Sequence, residues 1–107
     1  MPIYNKLVRD GIPGIVEATG KRAVTRVLDE AEYEHALIEK LHEEVEELRG
    51  AGSDHDRIEE MADILELIHT YATRVGADLS EIEAVRKKKT EERGGFRERV
   101  FLISVED

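Results

Sequence analysis

The sequence predicts a mainly α protein, a helical bundle with a small two-stranded sheet from residues near 23–28 and 99–105, completed by oligomerisation. Three observations predict it. Three long segments repeat apolar residues at helical spacing and are separated by breaks at Gly50 and Gly52, at Gly76, and at Gly94 and Gly95. Two short segments, AVTRVL and RVFLISV, have the branched, alternating character of strands. The middle long segment is apolar over more than half its circumference, beyond what one core-facing stripe requires, which predicts burial on two sides. At 107 residues the chain is a single domain, 1–107, near the small end of what buries a self-sufficient core, so association would help it.

In order, the N-terminal stretch is punctuated by Pro2 and Pro13 and holds a short helix ending near Gly20. AVTRVL follows as the first strand. Helix A covers residues 30–49 and is closed by Gly50, Ala51 and Gly52. Helix B starts after the cap Ser53 and ends near Gly76. Helix C opens with a capping box, Ser80 with Glu83, and stops at Gly94 and Gly95. RVFLISV is the second strand, pairing with AVTRVL. There is no internal repeat and no low-complexity segment.

Composition narrows the function classes. The net charge of −9, with 25 acidic residues, argues against a binder of nucleic-acid polymers. The absence of cysteine excludes disulfides, thiolate catalysis and thiolate metal sites, and suits a reducing cytosol. No apolar run approaches the ~20 residues of a membrane span, and no signal-peptide core is present, so a cytoplasmic protein is expected.

The acids carry the chemistry. Glu44 and Glu47 in LHEEVEEL and Glu60 and Asp63 in IEEMADILEL form two couplets on neighbouring helices, able together to make one divalent metal site. Such couplets are common in an acidic chain, and placement distinguishes these. At about 100° per residue, Glu44 falls in the middle of the arc of Leu37, Leu41, Val45 and Leu48, with Glu47 at its edge, whereas Glu43 and Glu46 swing toward the polar side. An ionised carboxylate among apolar neighbours costs several kcal/mol unless paired, so Glu44 needs a cation or a basic partner. Glu60 and Asp63, one turn apart, flank Leu67. Glu43 or Glu59, outside the ligand set, could position a water, and the sequence does not choose between them.

Helix C shows the opposite sign. Ile82, Val85, Lys89 and Arg93 share a broad face that turns cationic toward the C-terminus; Lys87 and Lys88 suit complementation of the helix dipole, whereas Lys89 and Arg93, which continue the apolar stripe, suit a phosphate. Lys6 and Arg9 form a second basic couplet, for phosphate or for surface ion pairs. Mg²⁺, or Mn²⁺, commonly joins a few carboxylates to substrate phosphates, so an acidic site rimmed by Lys and Arg suggests a nucleoside polyphosphate substrate.

These residues resemble a known group. E-x-x-E followed by E-x-x-D on successive helices resembles the all-α nucleoside triphosphate pyrophosphatase superfamily, the MazG and phosphoribosyl-ATP pyrophosphohydrolase relatives. YNKLVRDGIP near the start and KTEERGGF near the end resemble its small stand-alone house-cleaning pyrophosphatases, so the likeness spans most of the chain. It implies Mg²⁺-dependent hydrolysis of a nucleoside triphosphate between the α and β phosphates, giving the monophosphate and pyrophosphate. It implies that Glu44, Glu47, Glu60 and Asp63 bind metal, that Lys6, Arg9, Lys89 and Arg93 contact phosphates, and that the chain forms a homodimer or a dimer of dimers. Gly11 departs from the pattern, standing where such relatives usually carry a lysine. If that lysine touches substrate, affinity or specificity changes.

Three rivals remain. Phosphoribosyl-ATP is the competing substrate, disfavoured by the terminal motifs. Glu39/His42 and Glu66/His69 have the E-x-x-H spacing of di-iron bundles, but Glu39 and His42 point away from the apolar stripe. His69 falls in the apolar arc and is expected to be a core histidine, with His35, His42 and His55 exposed. A non-catalytic helical interaction module is the third. Tyr4, Tyr33 and Phe96 are the candidates to stack on a base.

Overall fold

A computed structural model describes residues 2–107 and contains, among them, four helices and no strand. They are α1 (Ile12–Ala18), α2 (Glu30–Gly50), α3 (Asp54–Arg74) and α4 (Leu79–Arg93). Two compact units divide the chain, one ending at Tyr71 and one running from Ala72 to Asp107, with the boundary inside α3. None of the described helices is long and apolar enough to cross a membrane.

In the first unit, α1 begins with Pro13 in its first turn, where a missing N–H is harmless. It stops where Gly20 takes φ 89°, a left-handed conformation that glycine adopts at no steric cost. α2 matches the expected helix to within a residue. Its start is fixed by a capping box that the sequence reading did not name: Glu32 N–H donates to Asp29 Oδ1 at 2.9 Å, and Asp29 N–H donates to the Glu32 carboxylate at 3.3 Å. Arg26 forks onto the same carboxylate at 3.0 and 2.7 Å. That fork, then the Asp29 N–H, pulls Glu32 down to about 2.

Ser53 caps α3 as expected, its hydroxyl accepting from Asp56 N–H at 3.1 Å. Arg57 closes the α2–α3 turn by donating to the Ala51 carbonyl at 3.2 Å. At the far end Tyr71 donates to Glu34 at 2.8 Å, tying the last turns of α3 to the first turns of α2. The two helices therefore form an antiparallel hairpin. Its inner positions are Leu37 and Glu44, both buried, with Leu41, Leu48, Ile64 and Leu67 half-buried. Val45, expected in that arc, is exposed. The expected two-sided burial of α3 is met on one side. Ile58, Met61, Leu65 and Ile68 form a second, exposed apolar stripe; Leu65 is 55% exposed.

In the second unit, α4 starts two residues earlier than the Ser80–Glu83 box predicts. Asp78 is the cap, accepting from Glu81 N–H at 2.9 Å. Ser80 sits inside the first turn and donates to Asp78 at 2.7 Å, while Glu83 pairs with Arg86 at 2.8 Å. Asp caps at least as well as Ser, and the earlier frame adds helical residues. Gly94, at φ 81°, ends the helix.

The two-stranded sheet expected from residues 23–28 and 99–105 does not form among the described residues. Arg99 takes φ 61°, which breaks the extended run at its first residue. Val27, at 96% exposed, and Phe101, at 88%, have no apolar surface to lie on. Strand propensity reflects packing on a covered face, and an uncovered two-stranded ribbon is marginal in water.

Candidate metal centre

The hairpin brings three of the four expected carboxylates together. Glu44 occupies the inner stripe of α2 and is only 8% exposed. Glu60 and Asp63, one turn apart on α3, are half-buried beside Leu67. One oxygen from each of Glu44, Glu60 and Asp63 lies within 4.8 Å of the other two. Oxygens around an octahedral Mg²⁺ stand roughly 3 to 4.2 Å apart, so modest side-chain rotation would close the set. Glu47 is exposed and outside this trio. It instead lines an open cleft with Glu43, Glu46, Asp56, Glu60 and the Gly50 to Gly52 turn. At the edge of the inner arc of α2, its side chain stays in solvent, although Leu48, the next residue, is half-buried.

Within the trio, Glu60 is the carboxylate left without a partner. Glu60 Oε2 is sealed from solvent, and no donor of the described residues reaches it. A buried acceptor left in that state is costly. The Glu44 carboxylate set against it, then burial, then the charges of Glu47 and Asp63, push Glu60 up to about 7. A proton or a hard cation satisfies that oxygen, and an all-carboxylate donor set suits Mg²⁺ or Mn²⁺. The residues present fit such an ion.

Three cations already approach the acids. Arg9 Nη2 lies 2.6 Å from Asp63 Oδ1, and Lys6 Nζ lies 3.1 Å from Glu43 Oε1. Lys40 bridges Glu43 at 3.4 Å and Glu44 at 3.5 Å, and its side chain is only 18% exposed. It is the basic partner Glu44 requires, and the sequence reading missed it. The signal was available, since Lys40 stands three and four residues before the two acids on one helix face. The Lys6 hydrogen bond, with Lys40 adding to it, holds Glu43 below the usual carboxylate range. Lys6 and Arg9 are raised in turn by hydrogen bonds to Glu43 and Asp63.

Lys89 and Arg93, one turn apart on α4 in the second unit, are exposed. Tyr4 lies beneath Lys6, whose ammonium is 6.0 Å from the ring centre. Gly11 has φ −81° and nothing within 4 Å of the position a Cβ would take, so no backbone constraint explains its departure from the lysine pattern. His35, His42 and His55 are exposed, as expected. His69 is exposed too, and not a core residue. Glu39, His42, Glu66 and His69 are all exposed, and none of them joins the acidic trio.

Comparison with known proteins finds similarity to an uncharacterized protein of Mycolicibacterium smegmatis, 52% identical over 46 residues, which are 43% of this chain and 47% of that protein. The matched stretch thus spans about half the length of that relative. No family model matches the chain, and no solved structure matches it.

Proposed function

We propose that this chain is a Mg²⁺-dependent nucleoside triphosphate pyrophosphohydrolase, cleaving between the α and β phosphates to release a nucleoside monophosphate and pyrophosphate. On this reading it acts in the cytoplasm, removing non-standard nucleotides. One observation carries it: carboxylate oxygens of Glu44, Glu60 and Asp63, from two antiparallel helices, lie within 4.8 Å of one another, and Glu60 has a buried oxygen that no donor satisfies. The resemblance of YNKLVRDGIP and KTEERGGF to the house-cleaning group of the all-α pyrophosphatases supplies the reaction.

Glu44, Glu60 and Asp63 would hold the ion, Mn²⁺ serving in place of Mg²⁺, with Glu47 at the rim. A bound ion would neutralise phosphate charge and activate water. The chain's own residues do the rest. Glu43, held ionised by Lys6 and Lys40, is a weak base but a good acceptor, suited to orienting an attacking water rather than removing its proton. Lys6 and Arg9, already beside the acids, supply cations for the phosphates, and the resemblance alone assigns Lys89 and Arg93 of the second unit the same role.

The reading includes a homodimer or a dimer of dimers, formed on the outer stripe of α3. Ile58, Met61, Leu65 and Ile68 are spaced three, four and three apart, the seam of a coiled coil, which selects another helix as partner. A second copy offers the same stripe, so the face is self-complementary. The same exposure favours a second reading, a helical interaction module without catalysis.

Chromatographic analysis of products from a panel of standard and modified nucleoside triphosphates and phosphoribosyl-ATP, with Mg²⁺ or with EDTA, tests the proposal. Monophosphate and pyrophosphate, formed only with Mg²⁺, are expected. Preference for phosphoribosyl-ATP would reassign the substrate, and no turnover of any compound would favour the module. Sedimentation of the same preparation as a monomer would remove the oligomer.

A further inference from the structure

Residues 2–11 have no helix or strand, yet they lie across the acidic centre. Two ion pairs hold this segment, Lys6 to Glu43 on α2 and Arg9 to Asp63 on α3. Apolar anchoring is thin: Leu7 and Val8 are half-buried, and Ile3 and Tyr4 are exposed. Asn5, at φ 45°, turns the chain just before Lys6, a conformation asparagine tolerates better than most residues. Arg9 has closed on Asp63, one of the three carboxylates that converge, and it also feels the charges of Glu44 and Glu66. Its side chain remains 57% exposed. It is a cation, exposed and lightly held, on a carboxylate of the trio.

We propose that Arg9 is an internal counter-cation which a divalent metal displaces from Asp63, so that metal binding and release of the Arg9 end of the 2–11 strap are one exchange. The inference rests on the metal-centre reading above. An exposed ion pair is weak, whereas a divalent ion bound by three carboxylates gains far more from Asp63, so the exchange runs toward the metal. Repulsion between the guanidinium and the ion opposes both occupying Asp63. The released guanidinium then stands at the rim of the centre, available to an anionic group such as a phosphate. Lys6, paired with Glu43 outside the trio, is not in direct competition.

Titration calorimetry with Mg²⁺ and Mn²⁺ on the wild-type chain, Arg9→Gln and Lys6→Gln, with helix content checked by circular dichroism, separates the possibilities. Arg9→Gln is expected to bind metal about fivefold more tightly, the scale of one exposed ion pair, and Lys6→Gln less than about twofold. Amide hydrogen exchange over residues 5–11 should speed up when metal is added to the wild-type chain. Equal tightening in both variants would reduce Arg9 to a general charge effect and overturn the exchange. Weaker binding by Arg9→Gln would make Arg9 an orienting partner of Asp63 and overturn it as well. If neither the wild-type chain nor Arg9→Gln binds metal, the metal-centre reading itself falls, and the exchange with it.

Discussion

In α2 a carboxylate interrupts an apolar stripe and is buried; in α4 two cations continue such a stripe and stay in solvent. Glu44 has Leu37 and Leu41 before it and Leu48 after it, and the short turn at Gly50 to Gly52 folds α3 back beside all of them. Lys89 and Arg93 follow Ile82 and Val85, with no apolar residue beyond them in the helix, and Val85 is itself exposed. A charge on a stripe is dehydrated when large apolar residues bracket it on both sides. At the end of a stripe it snorkels away or completes the helix dipole. Burial therefore marks Glu44, with its α3 neighbours, as the chemically unusual position.

The largest effect expected from this difference is functional. Glu60→Ala removes the carboxylate whose oxygen has no donor, and it relieves repulsion instead of opening a well-packed core. Mg²⁺-dependent turnover should fall by more than the roughly 10- to 100-fold typical of losing a supporting group around a metal, with helix content unchanged. Undiminished turnover in a folded variant would remove Glu60 from the ligand set.

A smaller effect tests the burial contrast itself. Replacing a buried ion pair by apolar side chains is often stabilising, provided that no charged partner is left stranded. Glu44→Leu should raise stability in EDTA by about 1–2 kcal/mol, with Lys40 still paired to Glu43. Lys89→Leu, on an exposed face, should change it by less than about 0.5 kcal/mol. Urea unfolding monitored by circular dichroism reads both, and destabilisation by Glu44→Leu would show that the carboxylate is already well compensated by Lys40.

The same contrast explains what the sequence made legible. Helices α1, α2 and α3 and the end of α4 follow from apolar period, Ser53 and the glycine breaks. The position of Glu44 follows from the angle between residues on one helix, a local quantity. The sheet was not legible, because AVTRVL and RVFLISV look like strands by residue type, while pairing depends on a covered face and on Arg99 avoiding φ 61°. The start of α4 was missed because two capping frames overlap and the earlier one prevails. Glu47 belongs to the motif by spacing but stands at the edge of the inner arc, where its side chain stays in solvent. The pairing of Lys6 with Glu43 and of Arg9 with Asp63 joins residues 37 and 54 positions apart, beyond any periodicity argument.

The smallest expected effect is on pH dependence, and it isolates the proton on Glu60. The neighbouring Glu44 carboxylate, with burial, pushes Glu60 up to about 7 in the folded chain, from an ordinary 4.5. Between those values the folded state binds more protons than the unfolded one, so stability falls as pH rises from about 4.5 through about 7. The acids facing Glu60, namely Glu44, Glu47 and Asp63, raise it. Arg9, raised further by its hydrogen bond to Asp63, keeps its charge throughout this window. Glu32 acts in the opposite sense and in a separate window: held down to about 2 by Arg26, it stabilises above the ordinary carboxylate range and loses that contribution as pH falls through about 2. In EDTA the melting temperature should therefore decline between pH about 5 and about 8, and Glu60→Gln should flatten the decline. Mg²⁺ should restore stability most at the alkaline end, because the ion takes the place of the proton among the same oxygens. A wild-type melting temperature that rises across this range would mean that Glu60 is ionised without help, and that the centre has no vacancy in charge for a metal to fill.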